Sequence, residues 1–418
     1  SEHKTYYANV EHSLTSGATL YAAYSRSINE GDLRLLYLSG APDKATGLGM
    51  NASPTWYDVK REQDTLDLYI NTPFHFGRRT HELTVGLMHS KQELVTDRRA
   101  RATVPPVGNY LDWDGSYPEP AWGPSSTYTT QDTDQLGAYA VARLRLADPL
   151  QLIIGSRISD WETSGMKWNG DRYEFQHERE LTPYAGLVYD IDHHHSAYVS
   201  YSEIFNPQDY QDRSGDYLDP LEGKNYEAGV KGEYYEGRVN ASLAVFRIEQ
   251  DNLAQPDVGQ VVPGGIAQAY YPAQGTTSDG YEIELSGALT DNWNLLVGWA
   301  QFSAEDAEGE PVNTRFPRRT ANIFSTYRFD RLTLGGGVNW EDSNYTVAAN
   351  PLGQREKLEQ PSYALVNLMA RYQLSDALTA QLNIDNVFDK EYYSQIGFYG
   401  QYAYGEPRNG KLTLQYSF

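Results

Sequence analysis

The fold class this sequence predicts is all-β, a transmembrane antiparallel β-barrel, and three observations predict it. The first is the end of the chain. Leu412, Leu414, Tyr416 and Phe418 fall on one face of a strand, and Lys411, Thr413, Gln415 and Ser417 on the other. An apolar strand edge left open in water invites aggregation, whereas a closed barrel has no open edge. The second is hydropathy. Mean hydropathy is -0.62, and no apolar run nears the roughly 18 residues of a spanning helix. That is the balance expected where only alternate residues of each strand meet lipid. The third is tyrosine, present 34 times against 12 Phe and 8 Trp. Tyr suits a membrane–water girdle, with its ring at the boundary and its hydroxyl wet.

The strands follow in order. Tyr6, Ala8 and Val10 alternate with Tyr7, Asn9 and Glu11, and a turn at Ser13–Gly17 leads to a strand from Thr19 towards Tyr37. Residues 39–53 read as a Gly-, Pro- and Asn-rich loop. Strands are expected over Trp56–Asn71 and His81–Gln92, with Leu66, Leu68 and Ile70 on one face of the former. Residues 94–130 are the longest irregular stretch, and their aromatic density argues against disorder. Paired strands are then expected at Gln135–Leu146 and Leu150–Trp161, Tyr173–Tyr189 and Ser196–Phe205, and Tyr226–Tyr234 and Val239–Gln250. Further pairs follow at Tyr281–Leu289 and Trp293–Phe302, Phe316–Phe329 and Leu332–Val347, and Tyr363–Leu374 and Leu378–Phe388, before the terminal strand.

That makes seventeen strands, with short turns alternating with long loops. Short turns on the periplasmic side and long loops outside is the outer-membrane layout. Leu243, Leu382 and Leu414 are therefore expected on an outer belt and not in a protein core. An odd count in a class of even-stranded barrels implies an odd number of strands upstream, so the sequence reads as the C-terminal barrel part, 1–418, of a longer chain.

Composition excludes other chemistries. There is no Cys, so no disulfide or thiolate metal site forms. A formal charge of -22 argues against nucleic acid as a partner. His193-His194-His195 sits in a short turn without a carboxylate or Cys spaced to complete a site, so no metal site is expected. No Ser-His-Asp or Gly-x-Ser-x-Gly arrangement stands out, and no catalytic residue is expected. Glu222, Asn225, Glu227, Lys231 and Glu233 put charges near the start of one strand, where inward placement is expected to make ion pairs across the lumen or to a plug. Gly335-Gly336-Gly337, mid-strand, relieves crowding and is not a phosphate loop.

The motifs also carry a resemblance. Leu382-Asn383-Ile384-Asp385-Asn386-Val387-Phe388-Asp389, with Tyr404-Gly405-Glu406-Pro407-Arg408-Asn409 and the terminal aromatic, resembles the C-terminal signature of TonB-dependent outer-membrane receptors. Tyr201-Ser202-Glu203-Ile204-Phe205-Asn206-Pro207, Leu218-Asp219-Pro220-Leu221-Glu222-Gly223-Lys224 and Val245-Phe246-Arg247-Ile248 resemble its ferric-siderophore branch, the coprogen and pyoverdine, hydroxamate-type receptors. The resemblance implies a barrel of about 22 strands with an N-terminal plug. On that expectation, the plug, the TonB-contacting segment and the first strands lie outside this sequence.

It further implies active, TonB-dependent transport of a ferric siderophore across the bacterial outer membrane. The chelate is the transported ligand, and no cofactor is needed. TonB, through the missing N-terminal part, and outer-membrane lipid and lipopolysaccharide are the other partners, and the receptor is expected to be a monomer. Aromatics of the long loops are the ligand candidates, because rings give contact area and Tyr hydroxyls bond oxygens. They are Tyr110, Trp113, Tyr117, Trp122, Tyr270, Tyr271, Tyr399 and Tyr402. Arg98, Arg99 and Arg101 read as a solvated charge run that can also steer an anionic chelate. Two alternatives stay open on the residues alone: a passive diffusion porin, which conducts ions as purified, and a TonB-dependent receptor for a non-siderophore ligand.

Overall fold

The computed structural model describes residues 1–263, 267–350, 354–398 and 401–417. Seventeen strands share one sheet, the number read from the sequence. Its first ten are β1 (Glu2–Ser13), β2 (Thr19–Ser39), β3 (Asn51–Phe76), β4 (Arg79–Arg101), β5 (Trp122–Ala147), β6 (Leu150–Met166), β7 (Arg172–Asp190), β8 (His195–Asn206), β9 (Leu221–Tyr234) and β10 (Val239–Asp251). A loop hairpin of β11 (Leu253–Val261) and β12 (Gln268–Ala273) follows. The sheet resumes with β13 (Thr276–Ala288), β14 (Trp293–Glu305), β15 (Arg319–Phe329) and β16 (Leu332–Glu341). A second hairpin, β17 (Asn344–Ala349) with β18 (Arg355–Gln360), precedes β19 (Tyr363–Gln373) and β20 (Leu378–Asp385). A third, β21 (Tyr393–Phe398) with β22 (Gln401–Tyr404), precedes the last sheet strand, β23 (Asn409–Tyr416). Among the described residues the helical content is a single 3-10 turn, Tyr110–Asp112.

The chain packs as two compact units, Ser1–Leu146 with Leu152–Tyr184, and Ala147–Gln151 with Ala185–Phe418. In the first, Val10, Ala22, Leu68 and Leu87 stand in one cross-strand row. The row is apolar and solvent-accessible. The other face is polar and hydrogen-bonded. Tyr139 donates to Asp67 at 3.0 Å, Gln63 to Ser90 at 3.2 Å and Asn71 to Thr84 at 2.9 Å. Gly86 is small because a Cβ there would lie 2.3 Å from the Tyr139 ring.

The second unit repeats the division. Val230, Leu243, Ile283, Trp299, Ala321 and Trp340 form one apolar row. The Trp299 and Trp340 rings stack in it at 5.9 Å. Leu243, Leu382 and Leu414 are 43%, 42% and 64% exposed, on the belt expected of them. Exposed Leu side chains in continuous rows are what hydrocarbon solvates and water does not. The glycine triplet is packed: a Cβ at Gly337 would meet the Ile323 carbonyl at 2.5 Å.

Four expectations are corrected. The 94–130 stretch is strand at both its ends, because β4 runs on to Arg101 and β5 starts at Trp122. Its side chains turn polar above the apolar rows, but the ladder continues, and paired charges such as Arg99 of β4 with Asp58 of β3 at 3.4 Å replace apolar contacts. The strand expected from Phe316 begins at Arg319. The strand expected through Val347 stops at Glu341, beyond which β17 pairs only within its own hairpin. In place of ion pairs across the lumen, among the described residues the Tyr198 hydroxyl donates to Glu227 at 2.5 Å while the Lys231 ammonium sits 4.9 Å from its ring centroid. Phe418 lies outside the described residues.

Candidate functional site

The predicted loop aromatics fall in separate places. Tyr110 and Trp113 meet at 5.8 Å on the 3-10 turn, and the Trp113 indole donates to the Ser116 carbonyl at 2.5 Å. Tyr117 donates to the Pro105 carbonyl. Trp122 is a strand residue. Its ring meets the edge of Trp56 at 5.6 Å and its indole donates to Glu119 at 3.0 Å. In the second unit Tyr270 and Tyr271 belong to β12, with the Tyr270 ring 4.4 Å from Tyr210. Tyr402 belongs to β22. It lies 4.3 Å from the Tyr393 ring, and its hydroxyl accepts from the Glu359 amide at 3.2 Å. Tyr399 lies outside the described residues. Trp113, Tyr117, Trp122 and Tyr402 thus commit their polar handles to contacts within or beside their own loops.

A second aromatic set was not singled out from the sequence. It stands on the polar face of the first unit, where the strands reach the long loops. β6 alternates Arg157, Ser159, Trp161 and Thr163 on that face against exposed Ile154 and Ile158 on the other. Gly137 leaves room for Arg157, since a Cβ there would lie 2.8 Å from its Nε. Trp161 lies 5.3 Å from Phe175 and stacks on His177 at 5.9 Å, and Tyr173 joins Phe175 at 6.1 Å. Thr163 anchors the strand beneath, donating to the Asp132 carbonyl at 3.0 Å. On β3 to β5, Tyr57 and Tyr128 approach to 5.6 Å, with the Arg98 guanidinium 4.5 Å from the Tyr128 ring. Aromatic faces and a cation on a water-accessible wall can hold a bulky, partly planar ligand with oxygen acceptors. Its signal in the sequence is aromatics in phase with polar residues, which loop composition does not report.

At the short-turn end of the second unit a cavity of about 970 Å³ is lined by Asp148, Asp190, His194, Lys231, Glu233 and Glu284, among others. The histidines are tied into the turn. The His195 ring lies 2.9 Å from Asp192 and 3.1 Å from the Tyr234 hydroxyl, and His194 lies 3.1 Å from the Glu233 carbonyl. Among the described residues no group of three His, Cys, Asp or Glu is gathered to hold a metal ion.

The His194 amide, then the His195 ring and amide, hold the Asp192 carboxyl down at about 2. A depressed carboxylate stabilises the turn above its unfolded value near 4, and loses that contribution as pH falls towards its folded value. Amide-exchange protection at His194 and His195 is therefore expected to drop between about pH 4 and pH 2. In Asp192→Asn it should already be low at pH 6. Equal protection in both proteins at pH 6 would count against this role for the carboxylate.

The family model described as TonB dependent receptor-like, beta-barrel matches residues 1–387. The ferripyoverdine receptor of Pseudomonas aeruginosa is 36% identical over 430 residues, covering 99% of this chain and 52% of the relative. The ferric-pyoverdine BN7/BN8 receptor of Pseudomonas putida is 37% identical, covering 100% of this chain and 51% of the relative. The chain spans about half the length of the curated relatives it matches. Among solved structures, the ferripyoverdine receptor of the outer membrane of Pseudomonas aeruginosa bound to ferripyoverdine superposes with a TM-score of 0.89. It is 34% identical over 100% of this chain and 56% of that one. A complex of FpvAI with pyocin S2 superposes with a TM-score of 0.88 at 34% identity, over 100% of this chain and 55% of that one.

Proposed function

The chain belongs to the TonB dependent receptor-like β-barrel family, and from that premise we propose that its complete protein is an outer-membrane receptor and TonB-dependent importer of a ferric siderophore of the pyoverdine kind. Residues 1–418 are its barrel domain. The apolar rows face outer-membrane lipid, with lipopolysaccharide in the outer leaflet, and the receptor works as a monomer. TonB acts through residues outside this sequence. The relatives named above are receptors, and the site offers ring faces and a cation.

The observation that carries the reading is the aromatic wall of Trp161, Phe175, His177 and Tyr173 on the polar face, in a family of receptors. Such a wall suits a chelate with a planar part. In the same unit Tyr110, Trp113, Tyr117 and Trp122 serve as secondary contacts or hold their own loops, and Tyr270, Tyr271, Tyr399 and Tyr402 stay ligand candidates of the second unit. Hydroxamate donors around the iron are part of the same proposal.

Titrating the full-length receptor with ferripyoverdine is expected to quench its Trp fluorescence saturably. A ferric trihydroxamate without an aromatic group should compete, but more weakly. Saturable binding of a cobalamin or a glycan, with no response to either ferric chelate, would sink the reading.

A further inference from the structure

Three arginines crowd the upper end of β4, and strand alternation separates them. Arg99 faces the same side as Trp56. Its guanidinium lies 4.2 Å from that ring and 3.4 Å from Asp58. Arg101 donates to Ser53 Oγ at 3.0 Å and to the Pro54 carbonyl at 2.6 Å. Arg98 turns to the opposite, polar face. There it sits 4.5 Å from the Tyr128 ring centroid, with Tyr57 as its cross-strand neighbour.

Among the described residues no carboxylate or carbonyl takes the Arg98 guanidinium. The charge run is thus two tethered arginines and one available one. Two more guanidiniums share its face. Arg61 lies four residues along β3 from Tyr57 and has no partner among the described residues. Arg157 has its Nε and Nη2 buried without a partner. In a chain of net charge -22, an unpaired guanidinium on this polar face runs against the background.

A guanidinium stacked on a Tyr ring keeps its edge N–H groups free, and that edge matches a carboxylate in a two-bond fork. We propose that Arg98, seated on Tyr128 beside Tyr57, selects ferric chelates that carry a pendant carboxylate. The carboxylate meets the guanidinium edge, and the rings take the neighbouring planar part. The iron donors themselves are not the target, because their charge is spent on the metal. The inference rests on the receptor reading above.

The test uses the full-length receptor and two probes: a ferripyoverdine with a free side-chain carboxylate, and the same chelate with that carboxylate converted to the primary amide. Wild type is expected to bind the carboxylate form about tenfold or more tightly than the amide form. In Arg98→Gln the ratio should fall to near one, through loss of affinity for the carboxylate form alone. Arg99→Gln should keep the wild-type ratio. Retained binding of the amide form shows that Arg98→Gln is folded. If that variant binds neither form, Arg98→Lys decides: its carboxylate-over-amide ratio should fall below wild type, because an ammonium cannot make the two-bond fork, and a full wild-type ratio in Arg98→Lys overturns the proposal. An unchanged ratio in Arg98→Gln, or no preference in wild type, overturns it while the receptor reading stands. Failure of wild type to bind either probe takes down the receptor reading and this proposal together.

Discussion

Trp161→Ala in the full-length receptor is expected to weaken ferripyoverdine binding ten- to a hundredfold, with the fold and the membrane insertion intact. The ring is the hub of its group, 5.3 Å from Phe175 and 5.9 Å from His177. Truncating such an anchor in a binding site typically costs about 2 kcal/mol or more, which is the upper part of that range. The strand itself should survive. Its anchor is the neighbouring Thr163, buried to 1% exposure and bonded to the Asp132 carbonyl. Because the substitution removes a fluorophore, equilibrium binding of radio-iron-loaded chelate is the fitting readout. Trp299→Ala is the control: its ring stacks on Trp340 in the apolar row and should leave affinity within twofold, about the limit of a surface change. Wild-type affinity in Trp161→Ala, or an equal loss in Trp299→Ala, would move the binding wall elsewhere.

Why that wall was passed over in the sequence is a matter of where period-2 patterning has force. In the lipid belt every second residue must be apolar, so rows such as Leu243 and Val245, or Leu378 to Ile384, read directly as strand. All seventeen sheet strands were legible in this way. Above the belt both faces meet water and the alternation fades. There the ladder is held by pairs such as Arg26 with Asp64 at 2.9 Å, which no hydropathy pattern reports. β3, β4 and β5 therefore outrun their expected ends, and Trp122 passes from loop to strand.

The same loss of pattern hid the three loop hairpins. β17 and β18 are six residues each, short enough to look like irregular chain, and charged residues in β18 mask any alternation. For the candidate wall, parity says more than residue type. Tyr117 and Trp113 have the right chemistry but bond their own loop, whereas Trp161 and Arg98 are distinguished by parity, one residue away from side chains on the opposite face.

The largest stability effect expected is at Gly287, where backbone meets backbone. This residue sits in β13 opposite Val239, with φ at +143, inside the range that side-chain-bearing residues avoid. A Cβ there would lie 2.0 Å from the Arg238 carbonyl oxygen and 2.7 Å from the Val239 Cα. Both are backbone atoms that no rotamer change can move. The same carbonyl accepts the Ala288 amide at 2.9 Å, so relief of the clash also breaks a ladder bond. Strained backbone costs about 1–3 kcal/mol and a lost hydrogen bond about 1. Gly287→Ala should therefore lower unfolding stability by roughly 2–4 kcal/mol. Gly298 separates the clash from a general cost of replacing strand glycines. It lies in β14, next in the sheet, with nothing within 4 Å of its added Cβ. Gly298→Ala should shift the denaturant midpoint in lipid vesicles by less than about 0.5 kcal/mol equivalent. Equal midpoints for the two variants would mean that β10 and β13 have room to part at this level, and the close approach at Arg238 would lose its structural weight.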